Sequence, residues 1–128
     1  MRMKCLFTAI ICFLFISGKA QLANTSWTGM SDLLMEDHSL KPVKTTSIFG
    51  KDTLQVLIEG YSSELLTYTI NKDIITLTKV SGGSPCQIGT WVKEKYQIKG
   101  DKIFFHDAES HCEAYLKGMD GKSYDRVK

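Results

Sequence analysis

The chain has 128 residues, 43% of them hydrophobic and 23% charged, with 16 Lys and Arg against 14 Asp and Glu for a formal net charge of +2. It is too apolar for a disordered segment and of a length for one small domain. Its Lys and Arg residues are scattered, and the densest group, Lys93, Lys95 and Lys99, is broken by Glu94 and followed by Asp101, so no one-sided basic stripe for nucleic acid is present.

The first element is an address. Arg2 and Lys4 form a basic start and Cys5 to Ile16 a run of apolar or small residues. Ser17-Gly18-Lys19-Ala20 closes it, with small residues three and one before an expected cut at Gln21. This is the pattern of a secretory signal peptide over residues 1–20, so the expected destination is secreted or periplasmic. The apolar run falls short of the roughly 20 residues a spanning helix needs, so no permanent membrane anchor is expected. Loss of Arg2, Lys4 and Lys19 with the signal turns the net charge from +2 to −1.

Cys5 and Cys12 leave with the same segment, and neither follows a small residue as a lipoprotein acceptor does. Cys86 and Cys112 remain, and in an oxidising compartment two cysteines permit one intramolecular pairing. Closing that loop contributes roughly 3 to 4 kcal/mol in the chain-entropy model. The two are too far apart in sequence for a Cys-x-x-Cys redox site.

From residue 21 onward the chain reads as short β-prone runs separated by Gly, Asn, Asp and Ser. Ser26 to Met35 reads as a first strand with Trp27 inward; a short helix near Asp32 to Asp37 is the alternative, because Leu33, Leu34 and Met35 do not alternate. Val43 to Phe49 follows. Thr53 to Glu59 sets Leu54, Val56 and Ile58 on one face, and Glu64 to Ile70 does the same with Leu66, Tyr68 and Ile70. Ile74 to Val80 completes a meander through the Asn71-Lys72-Asp73 turn. Thr90 to Lys99 and Lys102 to His106 form a hairpin around Gly100-Asp101. An acidic turn at Asp107 to Glu109 then leads to strands at Cys112 to Leu116 and Ser123 to Val127, punctuated by Gly118 to Gly121. Eight or nine antiparallel strands with at most one short helix close into a barrel or fold into a sandwich.

Several segments together resemble the small secreted lipocalin-like, or calycin-type, proteins. They are Asn24-Thr25-Ser26-Trp27-Thr28-Gly29, the Tyr68-Thr69-Ile70 strand running through Asn71-Lys72-Asp73 to Ile74-Ile75-Thr76-Leu77, and the Tyr96 to Phe105 hairpin. Cys112 after the acidic turn and Arg126 near the C-terminus complete the pattern. Thr25 stands where lipocalins typically carry the glycine of Gly-x-Trp. The resemblance implies an all-β, small antiparallel up-and-down β-barrel with short loops, in which Trp27 plugs one end. Arg126 either packs across the Trp27 indole, an interaction of about 0.5 to 2 kcal/mol, or lies exposed on the last strand.

No Gly-x-Ser-x-Gly elbow, His-Glu-x-x-His helix or phosphate-binding glycine loop is present, so no enzyme and no cofactor are expected. His106-Asp107-Ala108-Glu109-Ser110-His111 gathers two imidazoles and two carboxylates beside Cys112, but at a spacing that matches no established metal site. It reads as a solvated hairpin turn, and no metal is expected. Ser81 to Pro85 is a loop that either connects strands or serves as a flap or inhibitory segment. Asn24-Thr25-Ser26 is formally an N-glycosylation acceptor.

The inward set Val56, Ile58, Tyr68, Ile70, Leu77, Tyr96, Ile98 and Phe105 makes either a filled core or the wall of a cavity. The leading expectation is an exported, non-enzymatic binding protein holding a small hydrophobic ligand in or at the mouth of the barrel, with Trp27, Tyr68 and Tyr96 as first contacts. The alternative is a calycin-type protease inhibitor or other protein-interaction module, with the barrel filled and a terminus or the Gly82-Gly83 loop engaging the partner.

Overall fold

A computed structural model describes residues 21–128; the signal-peptide reading of residues 1–20 lies outside the described residues. Eight strands run in chain order: β1 (Thr25–Leu34), β2 (Leu40–Phe49), β3 (Thr53–Ile58), β4 (Tyr61–Asn71), β5 (Ile74–Gly82), β6 (Trp91–Lys99), β7 (Lys102–Ser110) and β8 (Ser123–Arg126). One helix, α1 (Glu113–Met119), lies between β7 and β8. Each strand pairs antiparallel with the next, and β8 returns to β1 through Trp27↔Arg126 and Thr28↔Asp125. The result is a closed up-and-down barrel without exposed sheet edges.

Turn chemistry fixes the connections. Glu59 and Gly60 both take positive φ, 51° and 83°, the two-residue geometry that matches strand twist in the β3–β4 hairpin. Lys72 at φ 58° turns β4 into β5, and Gly100 at φ 59° turns β6 into β7. The up-and-down order places the 50–52, 72–73 and 100–101 connections at one end, the base, together with the start of β1 and the end of β8. The other end, the top, carries residues 35–39, 59–60, the 83–90 connection and α1.

Alternation fills the base with apolar side chains. Leu22, Trp27, Phe49, Leu54 and Ile103 there belong to one buried cluster that continues up the barrel through Tyr68, Ile75, Leu66 and Leu77. Phe49 and Tyr68 meet edge-to-face at 5.2 Å, an arrangement favoured by the ring quadrupoles. Gly29 is needed for a close approach: a Cβ there would fall 2.7 Å from Tyr124 Cδ1 and 2.8 Å from the Ser123 carbonyl oxygen. The absence of a side chain lets the Tyr124 ring lie against β1.

Three sequence readings are corrected. Cys112 to Leu116 is not a strand; Glu113–Met119 is helical, burying Tyr115, with Glu113 in the first turn and Lys117 in the last, where each sign suits the helix dipole. The alternative helix near Asp32 to Asp37 does not form, because β1 runs through Leu34, paired to Leu40. Asp107 to Glu109 does not end β7. Asp107 takes φ 56° inside the strand, where the register against β6 slips between Lys93 and Lys95. A turn-forming residue is used to make a bulge, and β7 continues to Ser110.

Candidate binding site

At the base, an open cleft of about 550 Å³ is lined by Gln21, Lys72, Asp73, Tyr96, Gln97, Ile98 and Arg126. The β4–β5 turn supplies Lys72 and Asp73, the end of β6 supplies Tyr96 to Ile98, and β8 supplies Arg126. Because Arg126 is registered opposite Trp27, its guanidinium sits 4.5 Å over the indole ring. Its Nε lies 3.9 Å from Asp101, which Lys128 also contacts at 2.8 Å. Those two cations, Lys128 by hydrogen bond first, hold the Asp101 carboxyl below its usual range. Burial, aided by the nearby Asp73 charge, raises the Tyr96 hydroxyl above its ordinary value, so it stays a neutral donor. Among the described residues Lys72 has neither an ion pair nor a side-chain hydrogen bond.

Polar groups at the base are satisfied. Trp27 Nε1 donates to Thr25 Oγ1 at 2.9 Å, and the Tyr68 hydroxyl donates to the Gly50 carbonyl at 2.7 Å. The upper half differs. Strand alternation turns Glu64, Lys79 and Glu94 inward together with Leu66, Leu77 and Val92, and all three are buried. Lys79 Nζ donates to the carbonyls of Ser84 and Cys86 and to Ser84 Oγ, and lies 3.5 Å from Glu64 Oε1. Glu64 Oε1 also accepts the Ser84 amide at 2.9 Å. These bonds draw the 83–90 connection over the top of the barrel.

The Cys86–Cys112 disulfide, with Cα atoms 5.8 Å apart, staples that connection to the start of α1. Gly82, at φ 137°, makes the approach possible, since a Cβ would fall 2.3 Å from both Glu64 Oε2 and the Ser63 carbonyl. The Ser81 to Pro85 segment is therefore the end of β5 and a pinned cover.

Glu94 is 1% exposed, and neither carboxyl oxygen has a hydrogen-bond partner among the described residues. Burial, with a smaller contribution from the Asp120 charge, pushes its pKa up to about 8. Thr45 Oγ1, Glu64 Oε2 and the Tyr115 hydroxyl are likewise buried without a partner. Tyr124, by contrast, meets Ser31 Oγ at 2.6 Å; burial, with the Glu94 and Asp32 charges adding to it, raises its pKa to about 12. Tyr115 also rises to about 12, through burial first and the Glu64 charge second.

The structure distributes the residues singled out in the sequence. Tyr96 and Ile98 come together at the cleft, and Trp27 lies beneath its Arg126 wall. Tyr68, Leu77 and Phe105 are buried in the core cluster, with Val56 and Ile70 packed against it. Ile58, at the top end of β3, is only half-buried. Within the His106 to His111 segment, His106 Nδ1 lies 3.3 Å from Asp107, while His111 meets the Trp91 ring edge-on at 5.6 Å. No group of three or more His, Cys, Asp or Glu placed to hold a metal occurs among the described residues.

Glu64, Lys79 and Glu94 were missed in the sequence. Their signal was phase: Glu94 lies two residues from both Val92 and Tyr96, and so shares their face whatever its charge.

The fold defines the class: among the described residues, a closed eight-stranded antiparallel barrel with a short helix between its last two strands, consistent with a calycin-like barrel. Comparison with protein-family models, with curated proteins and with solved structures finds no match.

Proposed function

We propose that this chain is an exported, non-enzymatic binding protein of lipocalin-like type that holds a small, largely apolar molecule at the base cleft. The observation that carries the reading is the cleft itself, where the Ile98 side chain and the Tyr96 ring adjoin the cations Lys72 and Arg126 in about 550 Å³. That volume lies within the usual range for small-molecule sites, which pair apolar walls with a few orienting polar groups. The apolar body of the ligand rests on Ile98 and Tyr96, and a polar or anionic end meets Lys72 and Arg126. The Cys86–Cys112 bridge fits an oxidising compartment, and no helix among the described residues is long and apolar enough to cross a membrane.

A second reading, recognition of a protease or other protein, is favoured by the side chains of Tyr61 and Ile88 at the top, 81% and 74% exposed. Titration with 1-anilinonaphthalene-8-sulfonate, an apolar anion that fluoresces when desolvated, separates the two. The cleft reading expects one saturable site that Ile98→Asp abolishes while the far-UV spectrum stays unchanged. Absence of a saturable site, or binding indifferent to Ile98→Asp, overturns it.

A further inference from the structure

From the upper half of the barrel we infer a second, interior site, in which the Glu94 carboxylate receives a small organic cation of the primary-ammonium type. The inference is independent of the cleft at the base. A carboxyl group with both oxygens buried and unpartnered forgoes the hydrogen bonds that water gives it, and such groups in folded proteins are normally paired. An ammonium group supplies what is lacking, three N–H donors and a positive charge.

The surroundings favour a cation over an anion. Asp120, at the C-terminal end of α1, adds a second negative field at Glu94, and Glu94 in turn acts on the Tyr124 hydroxyl from β8. Asp32 of β1 also faces Tyr124 and is paired to Lys122 at 2.6 Å. The nearest buried cation, Lys79, is committed to Ser84, Cys86 and Glu64. On β7, His106 and Asp107 are exposed and lie 3.3 Å apart, and Asp107 also meets Lys95 at 3.7 Å.

Binding has a proton balance. Near neutral pH the raised pKa keeps the Glu94 carboxyl protonated, so entry of an ammonium ion is accompanied by release of that proton to solvent. Affinity therefore increases about tenfold per pH unit below about 8 and levels off above it, while the amine itself stays charged throughout.

The test is calorimetric titration of the mature protein with methylammonium, in two buffers of different ionisation enthalpy at pH 7, with methanol as the neutral isostere. The expected result is binding of methylammonium alone with release of about one proton, and at least a tenfold weaker constant in Glu94→Gln. Should that variant fail to fold, the wild-type protein still gives the pH series from 6 to 9. No methylammonium heat, binding without proton release, equal binding of methanol, or an affinity flat with pH each overturns the inference and means that Glu94 is satisfied by water. Dye binding at Ile98 is unaffected by any of these outcomes, so failure here leaves the cleft reading intact.

Discussion

The two ends of the barrel are built from the same strands to different ends. At the base, Leu22, Trp27, Phe49, Leu54 and Ile103 are buried together, the polar atoms of Trp27 and Tyr68 are bonded, and Arg126 closes the assembly over the indole. At the top the same strands turn Glu64, Lys79 and Glu94 inward, and four buried side chains keep polar atoms without partners. Buried polar groups without partners each cost about 1 to 3 kcal/mol. The apolar base therefore adds stability, and the buried charges of the top draw on part of it, an arrangement that clusters at sites of function and also occurs in structural ion-pair networks.

Breaking the base costs most. Trp27→Ala removes the largest fully buried side chain and the platform for Arg126, and is expected to lower unfolding free energy by about 5 kcal/mol, read from urea denaturation. At the top, Lys79→Met leaves the Glu64 carboxylate buried and unpaired, at a cost of about 3 to 4 kcal/mol. The paired change of Lys79→Met with Glu64→Leu recovers part of that loss, because it removes the unpaired charge but leaves the Cys86 carbonyl and the Ser84 amide without their partners. No such rescue exists for Trp27, and a double variant as unstable as the single would erase the distinction between the ends. Cys112→Ser comes next, with a loss of about 3 kcal/mol under oxidising conditions for a bridge spanning 26 residues. Under reducing conditions the melting midpoints of variant and wild type converge; an equal loss in both would assign the effect to packing around α1.

The all-β class was legible because β3 to β6 alternate with period two, and because Lys72-Asp73 and Gly100-Asp101 are turns that fix register; alternation left barrel or sandwich open, and the closed barrel was expected from the resemblance to lipocalin-like proteins. The helix was not. Its seven residues have no side-chain N-cap, and the run Cys112 to Leu116 is short enough to pass for a strand. Glu113 and Lys117, one acid and one base four residues apart, were the available clue. Asp107 misled because the same preference for positive φ that makes a turn also makes a bulge.

The cleft was half legible. Tyr96 and Ile98 lie on the expected face, but Lys72 and Arg126 reach them only once the barrel closes between β8 and β1. Glu94 stayed hidden because Lys93 and Lys95 on either side make the segment look solvated, although strand alternation sends them outward and the acid inward.

The difference between the two ends rests on Glu94, and the pH dependence of stability tests it most directly. The folded carboxyl titrates at about 8, above its ordinary 4.5, so the folded state keeps a proton that the unfolded chain releases. This penalty is absent below about pH 4.5, grows with rising pH and levels off above about 8, at most about 5 kcal/mol at 1.36 kcal/mol per pKa unit. Unfolding free energies of wild type and Glu94→Gln, measured by urea denaturation from pH 4 to pH 9, should run together at the acid end, with the variant progressively more stable toward the alkaline end. Parallel curves over the whole range would show that Glu94 is paired or solvated and would contradict the division between base and top.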